Sequence, residues 1–444
     1  MDEITILLTM FGLMFAAILS GIHIGFAFGI TAFLGNVLLF GGSDGEWDIG
    51  FNIALRGVGS VAYEYLRSEV FAAIPLFMLL GDFVNKSGSA RDLYNLINRG
   101  FRMVPGRLAV ATVGGNAVFA AVTGVSIAAA AAFSRIAYPQ MRLHGYDRKF
   151  ALGSVAGSAC LGMIIPPSVL LIVWGIISEK SIAALFIAGA IPGLILAAFF
   201  MIYIATAATL KPELAPKYHD AADKEAMTWA EVASGFGIGC LILLVLGGIW
   251  GGLFTPTEAG GVGSAAAVIL GLLKGMTLRD LGRAVVDSGK AAAPIMFLLL
   301  TANMYAKFME AAGMSELIRH TFEAYSLGNF EIVFVMVVIW LLLGMILDSI
   351  SIILITVPIF APLTAPFFDP IAFAIFGILA IEAGLLTPPF GLLVFTVKGT
   401  VEDKSVQLSE IFLGSVPYWI LMLIVMVMIW IWPSIATWLP SQMI

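Results

Sequence analysis

The stretch from Phe150 to Ile177, FALGSVAGSACLGMIIPPSVLLIVWGII, is uncharged and long enough to cross a bilayer, yet it carries Pro166-Pro167 in its middle. A proline lacks a backbone N–H, clashes with the carbonyl four residues earlier and disfavours a helical conformation in the residue before it. The pattern therefore predicts two half-helices joined by an unwound link. Unwound backbone at membrane depth is tolerated only where protein or a water-filled cavity satisfies it, as in the broken helices of secondary transporters.

A second apolar run, 370–397, is also interrupted by a proline pair, Pro388-Pro389. Two further landmarks recur at nearly the same spacing. The matching pairs are Pro75 with Pro294, Pro166-Pro167 with Pro388-Pro389, and Pro192 with Pro417. Three landmarks at one spacing predict a duplicated fold.

The predicted boundaries follow from these landmarks and from polarity. A first repeat covers 1–208, and a second repeat covers 232–444. Between them, 209–231 is polar, mixed in charge and interrupted by proline, which predicts a linker on the cytoplasmic side.

The composition places the chain in the membrane, because 60% of its 444 residues are hydrophobic and only 12% are charged. The many long apolar runs predict an all-α polytopic membrane protein. These runs lie at 4–20, 22–41, 69–85, 150–177, 182–208, 232–252, 258–273, 290–305, 370–397 and 411–438. The two cysteines fall in separate runs and indicate neither a disulfide framework nor a metal site.

The apolar run 108–134 has basic residues on both flanks, and basic flanks favour the cytoplasmic side. A single crossing would leave one of these clusters outside. The run therefore predicts a re-entrant helical hairpin that enters and leaves on the cytoplasmic side, with its tip at Thr123-Gly124-Val125-Ser126.

The equivalent run in the second half, 331–366, has mainly acidic flanks and predicts a hairpin that enters from outside, with its tip at residues 348–351. Five crossings plus one hairpin per half make the two repeats inverted. With a periplasmic N-terminus, the predicted cytoplasmic segments hold 18 of the 23 Lys and Arg residues. The opposite orientation would place most of them outside.

The two tips and the two Pro-Pro links expose free carbonyls at helix ends and free N–H groups at helix starts. The carbonyls and nearby hydroxyls suit Na⁺, whereas the N–H groups suit a carboxylate substrate. The predicted substrate-binding residues are Asn116, Thr123, Gly124, Ser126, Pro167, Ser168, Ser349, Ser351 and Pro389. The predicted Na⁺ ligands are Gly124, Ser126, Gly162, Ile165 and Pro166 in a first cluster, and Asp348, Ser349, Gly384, Thr387 and Pro388 in a second. The alternative is that the breaks only let helices bend around their neighbours.

Two acidic residues lie inside apolar runs, where burial of a charge is costly. Asp348 either binds a cation or caps a half-helix. Glu382 either pairs with Lys398 or a neighbouring helix, or takes part in transport directly.

Other notable residues have structural interpretations. Thr255-Pro256-Thr257-Glu258 predicts a capping box at a helix start. Aromatic residues near the ends of apolar runs are expected to anchor the chain at the membrane interface. These are Trp174, Trp229, Trp250, Trp419, Trp432 and Trp438.

The sequence resembles the large membrane subunit of tripartite ATP-independent periplasmic (TRAP) transporters over nearly its whole length. The motifs that carry the resemblance are AAVTGVSIAAA at 120–130, LGMIIPPS at 161–168, FTPTEA at 254–259, LGMILD at 343–348 and GLLTPPFG at 384–391. One departure is Val125, which stands where the family usually has a serine. Any ion at that position must therefore rely on carbonyls and on Ser126.

The resemblance implies an elevator-type carrier of the ion-transporter superfamily, with scaffold and transport domains, in a bacterial or archaeal inner membrane. It implies coupling to two or more Na⁺ ions. It also implies organic acid substrates delivered by a periplasmic binding protein, and a small four-helix membrane subunit as a partner.

Three alternatives stay open at the level of sequence. The first is a free-standing carrier of the same superfamily, such as a Na⁺/dicarboxylate symporter or an anion exchanger. An integral-membrane enzyme is disfavoured, because no nucleophile, base and metal-ligand set clusters at membrane depth. A channel is disfavoured because it does not require inverted broken helices.

Overall fold

All regular secondary structure is helical in the computed structural model, which describes residues 3–42, 45–216, 229–325 and 327–443. The helices of the first half are α1 (Glu3–Leu19), α2 (Ile24–Gly41), α3 (Trp47–Arg67), α4 (Ala73–Lys86), α5 (Ser89–Gly100), α6 (Arg107–Thr123), α7 (Ser126–Leu143), α8 (Arg148–Ala159), α9 (Leu161–Ile164), α10 (Val169–Ile177) and α11 (Ile182–Leu210). The helices of the second half are α12 (Trp229–Trp250), α13 (Pro256–Leu273), α14 (Leu278–Ala311), α15 (Met314–Ala324), α16 (Asn329–Gly344), α17 (Ser349–Thr364), α18 (Pro370–Gly384), α19 (Leu392–Thr400), α20 (Leu408–Ile431) and α21 (Ser434–Thr437).

Both Pro-Pro pairs lie between helices. The first separates α9 from α10, and the helices on either side of it are bent by 43°. The second lies between α18 and α19. Since neither proline of a pair can donate a backbone hydrogen bond, the helical ladder cannot continue through the link.

Six helices in the described part of the chain are long and apolar enough to cross a membrane, and two bent helix pairs would raise that number to eight. Several shorter apolar helices accompany them, including α1, α16, α17 and α18. The prediction of an all-helical polytopic membrane protein is thereby confirmed. The inverted repeat, the re-entrant hairpins and the elevator division into domains stay predictions.

Three segments differ from the sequence-based expectation. The helix α3 was not among the apolar runs, because Asp48, Arg56 and Glu64 interrupt its hydrophobic pattern. The second arm of the first predicted hairpin extends beyond residue 134, since α7 continues to Leu143. The run 290–305 lies inside the 34-residue helix α14, which begins at Leu278.

The predicted linker 209–231 is described only in part, because residues 217–228 lie outside the described residues. Its first residues belong to the end of α11, and its last residues begin α12. The capping box before α13 is confirmed: Glu258 N–H donates to the Thr255 hydroxyl, and Thr255 N–H donates to the Glu258 carboxylate.

Trp174 is not an interfacial anchor. Its side chain is only 1% exposed and packs against Trp340 and Phe373, with ring centroids 6.2 and 5.8 Å away. The ring joins α10 to α16 and α18, so this tryptophan contributes to the contact between the two halves of the chain. Aromatic pairs at this spacing contribute about 0.5–1.5 kcal/mol beyond the area they bury.

The predicted re-entrant topology of α6 and α7 can be tested by cysteine labelling. Gly100 and Gln140 are exposed residues near the two ends of this helix pair. In a Cys240→Ser background, Gly100→Cys and Gln140→Cys should both react with an impermeant maleimide only from the cytoplasmic side, because both flanks are basic. Labelling from opposite sides would show that the pair crosses the membrane once and that the repeat is not inverted.

Candidate functional site

The first tip, between α6 and α7, lies against the first Pro-Pro link. Val169 N–H, the second residue after the proline pair, donates to the Gly124 carbonyl at 3.1 Å. Gly124 has φ +62°, and a Cβ at this position would lie 2.6 Å from the Pro167 carbonyl oxygen. Glycine is therefore required here both by its backbone conformation and by the close approach of the link.

Three of the predicted substrate-binding residues lie on the helices and the link that form this contact, and all three are buried. The hydroxyl of Ser168 donates to the Met163 carbonyl at 2.7 Å, across the link. Asn116 donates to the Ser158 hydroxyl at 2.6 Å, which ties α6 to α8, and the amide oxygen of Asn116 has no partner among the described residues. Thr123 donates to the Phe119 carbonyl at 3.1 Å.

The backbone of Gly162 also approaches the first tip closely. A Cβ at Gly162 would lie 3.3 Å from the backbone nitrogen of Ser126. Ile165 and Pro166 are buried on the same link. The structure thus brings the predicted ligands of the first cluster together.

The second tip, between α16 and α17, lies against the second Pro-Pro link in the same manner. Gly391 N–H, again the second residue after the proline pair, donates to the Met345 carbonyl at 3.3 Å. A Cβ at Gly344 would lie 2.7 Å from Gly384 Cα, so the end of α16 and the end of α18 touch through their backbones. The Thr387 hydroxyl donates to the Gly384 carbonyl at 2.7 Å.

Asp348 has the capping role that was one of its two predicted roles. Its carboxylate accepts the backbone N–H of Ser351 at 3.1 Å and also accepts the Ser351 hydroxyl. This satisfies one of the free N–H groups at the start of α17. The other predicted role, cation binding, stays a prediction.

The two links differ in exposure. Pro166 and Pro167 are buried, whereas Pro388 and Pro389 are exposed, and Phe390 beside them is 57% exposed. The second break is therefore open at the molecular surface and the first is closed.

Glu382 does not pair with Lys398, because the Lys398 ammonium donates to the carbonyls of Lys404 and Val406 instead. The carboxylate of Glu382 accepts the Ser349 hydroxyl at 2.6 Å, so its partner is the neighbouring helix α17. The residue is fully buried. The signal for it in the sequence was an acid inside an otherwise uncharged run, but that pattern does not indicate its partner.

Two adjacent cavities, of about 500 and 470 Å³, both border α3 and α10; the larger also borders α14 and α17, and the smaller borders the starts of α11 and α13. None of the predicted site residues lines either cavity. Charged side chains of both signs line the larger one, including Lys180, Lys307 and Glu310. These cavities are therefore separate from the tips and links.

The arrangement is suited to binding ions rather than to covalent chemistry. Each cluster offers backbone carbonyl and hydroxyl oxygens, the ligands that hard cations prefer, beside helix N-termini that attract anions. Among the described residues, no three His, Cys, Asp or Glu side chains are grouped so as to hold a metal ion. Such oxygens, with the carboxylate of Asp348 beside those of the second cluster, are compatible with Na⁺.

A helical membrane protein with two broken helices, each facing the tip of a helix pair, has the architecture of a secondary transporter. The family model "Tripartite ATP-independent periplasmic transporter, DctM component" matches residues 11–435, so the chain belongs to this family. Its relatives are named as transporter permeases, which confirms that the chain is not an enzyme.

Two relatives and one solved structure illustrate the similarity. The chain is 30% identical to the C4-dicarboxylate TRAP transporter large permease protein of Pseudomonas aeruginosa, over 87% of this chain and 90% of that one. It is 28% identical to the sialic acid TRAP transporter permease of Haemophilus influenzae, over 95% of this chain and 67% of that one. The fold resembles that of the YdaH transporter of Alcanivorax borkumensis, with a TM-score of 0.62, 14% identity and coverage of 86% and 89% of the two chains.

Proposed function

We propose that this chain forms the translocation path of a Na⁺-coupled secondary transporter for organic acids. The observation that carries the proposal is the pairing of each helix tip with a Pro-Pro link, through Gly124 with Val169 and Met345 with Gly391. Each pairing gathers carbonyl and hydroxyl oxygens at one place, as a weakly bound hard cation requires. Two such clusters support at least two coupling ions.

The substrate class follows from the helix starts beside the tips and from the relatives. The starts of α7 and α10 provide partial positive charge for a carboxylate through the N–H groups that remain beside the Val169–Gly124 bond, whereas Asp348 already caps the start of α17. The relatives are named for C4-dicarboxylates and for sialic acid, which are carboxylates. Since their identities to this chain are nearly equal, the proposal extends to organic acids and not to one compound.

The partners follow from family membership. We propose that a periplasmic binding protein delivers the substrate and that a small four-helix membrane subunit completes the permease. The proposed location is an inner membrane, with a periplasmic N-terminus. In this arrangement the tips and links belong to a transport domain that moves past a scaffold as an elevator.

Reconstitution tests this function directly. The chain should be placed in proteoliposomes with its small membrane subunit, and uptake of a panel of labelled organic acids should be followed with the loaded binding protein outside. Uptake is expected only with all three proteins and an inward Na⁺ gradient, and replacing Na⁺ by K⁺ should abolish it. Uptake by the chain alone would favour a free-standing carrier, and uptake indifferent to Na⁺ would contradict the coupling.

A further inference from the structure

The buried carboxyl group of Glu382 lies between the two tips. Its Oε1 accepts the hydroxyl of Ser349, the first residue of α17, at 2.6 Å. The hydroxyl of Ser126, the first residue of α7, lies beside the same carboxyl group. The carboxylate is thus near the N-terminal ends of two helices, one from each half of the chain.

Glu382 also adjoins the first broken helix. Its backbone carbonyl lies 3.9 Å from the Cys160 sulfur, and the Cys160 thiol lies beside its carboxyl group. Cys160 precedes Pro166 by the same number of residues as Glu382 precedes Pro388. The acid and the thiol are therefore counterparts in the two broken helices, and they meet where these helices cross.

The charge of Glu382 has no basic partner. None of the ion pairs found among the described residues includes it, and its Oε2 accepts no hydrogen bond of normal geometry there, although the side chains of Ser126 and Cys160 lie beside the group. Hydroxyl groups and helix ends offset part of the cost of a buried charge, but a free carboxylate oxygen in a dry interior is costly unless a proton or a cation neutralises it.

The two predicted ion clusters need such a charge. The first consists of Gly124, Ser126 and backbone of the Gly162–Pro166 segment, all neutral, and the carboxylate of Asp348 in the second already caps α17. Glu382 is the buried acid that adjoins a serine from each cluster. Its negative charge is therefore available to both.

We propose that Glu382 is a Na⁺-binding residue, with its Oε2 in contact with a coupling cation held between the Ser126 and Ser349 ends of the two tips. The inference rests on the proposed Na⁺ coupling and adds a charged ligand shared by the two halves. The competing interpretation is that Glu382 only ties the tips together through hydrogen bonds.

Na⁺-dependent thermal stabilisation of the purified chain distinguishes these interpretations. Glu382→Gln keeps an acceptor for Ser349 and removes the charge. We expect it to raise the Na⁺ concentration for half-maximal stabilisation, measured against K⁺ at constant ionic strength, by at least about tenfold. Glu382→Asp, which keeps the charge, should shift it less. The control Glu410→Gln removes an acid that is not part of the proposed site and that pairs with Arg148. It should leave the Na⁺ dependence unchanged.

A double variant tests the charge without relying on the hydrogen bonds of Glu382. Cys160→Asp combined with Glu382→Gln moves the carboxylate to the counterpart position, and it should recover part of the Na⁺ response lost in Glu382→Gln. If Glu382→Gln does not fold, a Na⁺ response in the double variant supports the proposal, and a folded double variant without one overturns it.

The remaining outcomes separate the inference from the function on which it rests. A folded Glu382→Gln variant that is less stable but has the parent's Na⁺ dependence would overturn the inference and leave the coupling intact. A parent protein that Na⁺ does not stabilise more than K⁺, and whose uptake is indifferent to Na⁺, would overturn both.

Discussion

Replacing Gly153 by valine is expected to prevent α8 from packing on α20 and to abolish recovery of folded protein. A Cβ at Gly153 would lie 2.0 Å from the carbonyl oxygen of Gly414, and a Cβ at Gly414 would lie 2.1 Å from the carbonyl oxygen of Lys149. The nearest atoms on both sides belong to the backbone, so no side chain can change its rotamer to make room for the added carbon. We expect a loss of at least about 3 kcal/mol, the upper end for overpacked sites, against a total stability of about 5–15 kcal/mol.

The measurement is the yield of monodisperse protein after extraction, followed by thermal unfolding of whatever is recovered. Gly247→Val is the matched control, because Gly247 lies in the helix α12 and a Cβ there would have no atom within 4 Å. That control should lose no stability from helix propensity, because valine is a better helix former than glycine. Equal recovery of the two variants would show that α8 and α20 can separate without loss of the fold.

The second prediction concerns the hydroxyls of the proposed ion clusters. The Thr387 hydroxyl donates its hydrogen to the Gly384 carbonyl at 2.7 Å, which leaves its oxygen lone pairs free to accept a cation. Thr387→Val replaces the hydroxyl by a methyl group of similar size and so removes the ligand, and Ser126→Ala removes the hydroxyl at the first cluster. Loss of a buried partner costs about 1–3 kcal/mol, so the apparent Na⁺ affinity should fall roughly ten- to a hundredfold.

Na⁺ titrations of uptake in the reconstituted three-protein system provide the measurement. Thr387→Ser keeps the hydroxyl and should behave like the parent, and Thr396→Val removes an exposed hydroxyl of α19 and should also be neutral. Expression and binding to the partner subunit should hardly change. If Thr387→Val and Ser126→Ala both retained the parent's Na⁺ dependence, the assignment of the ion clusters would be wrong.

The sequence by itself determined where the helices are interrupted. Proline pairs end a helix wherever they stand, because the missing N–H and the ring clash are local properties, and both links lie where Pro166-Pro167 and Pro388-Pro389 predicted them. The tip at Gly124 and the capping box at Thr255 were likewise predicted from a few adjacent residues. Apolar runs of membrane length predicted the fold class for the same reason, since the requirement for about 20 apolar residues acts on each segment separately.

The tertiary structure decided which of these pieces meet, because such contacts depend on residues far apart in the chain. Charged residues interrupt the apolar pattern of α3, so the sequence did not predict this helix or its packing against α2 and α14. Trp174 had the sequence context of an interfacial anchor, but α16 and α18 cover it. Glu382 could be recognised only as an acid in an apolar run. Its position beside Ser349, Ser126 and Cys160 follows from the crossing of two broken helices, and a local pattern contains no information about that crossing.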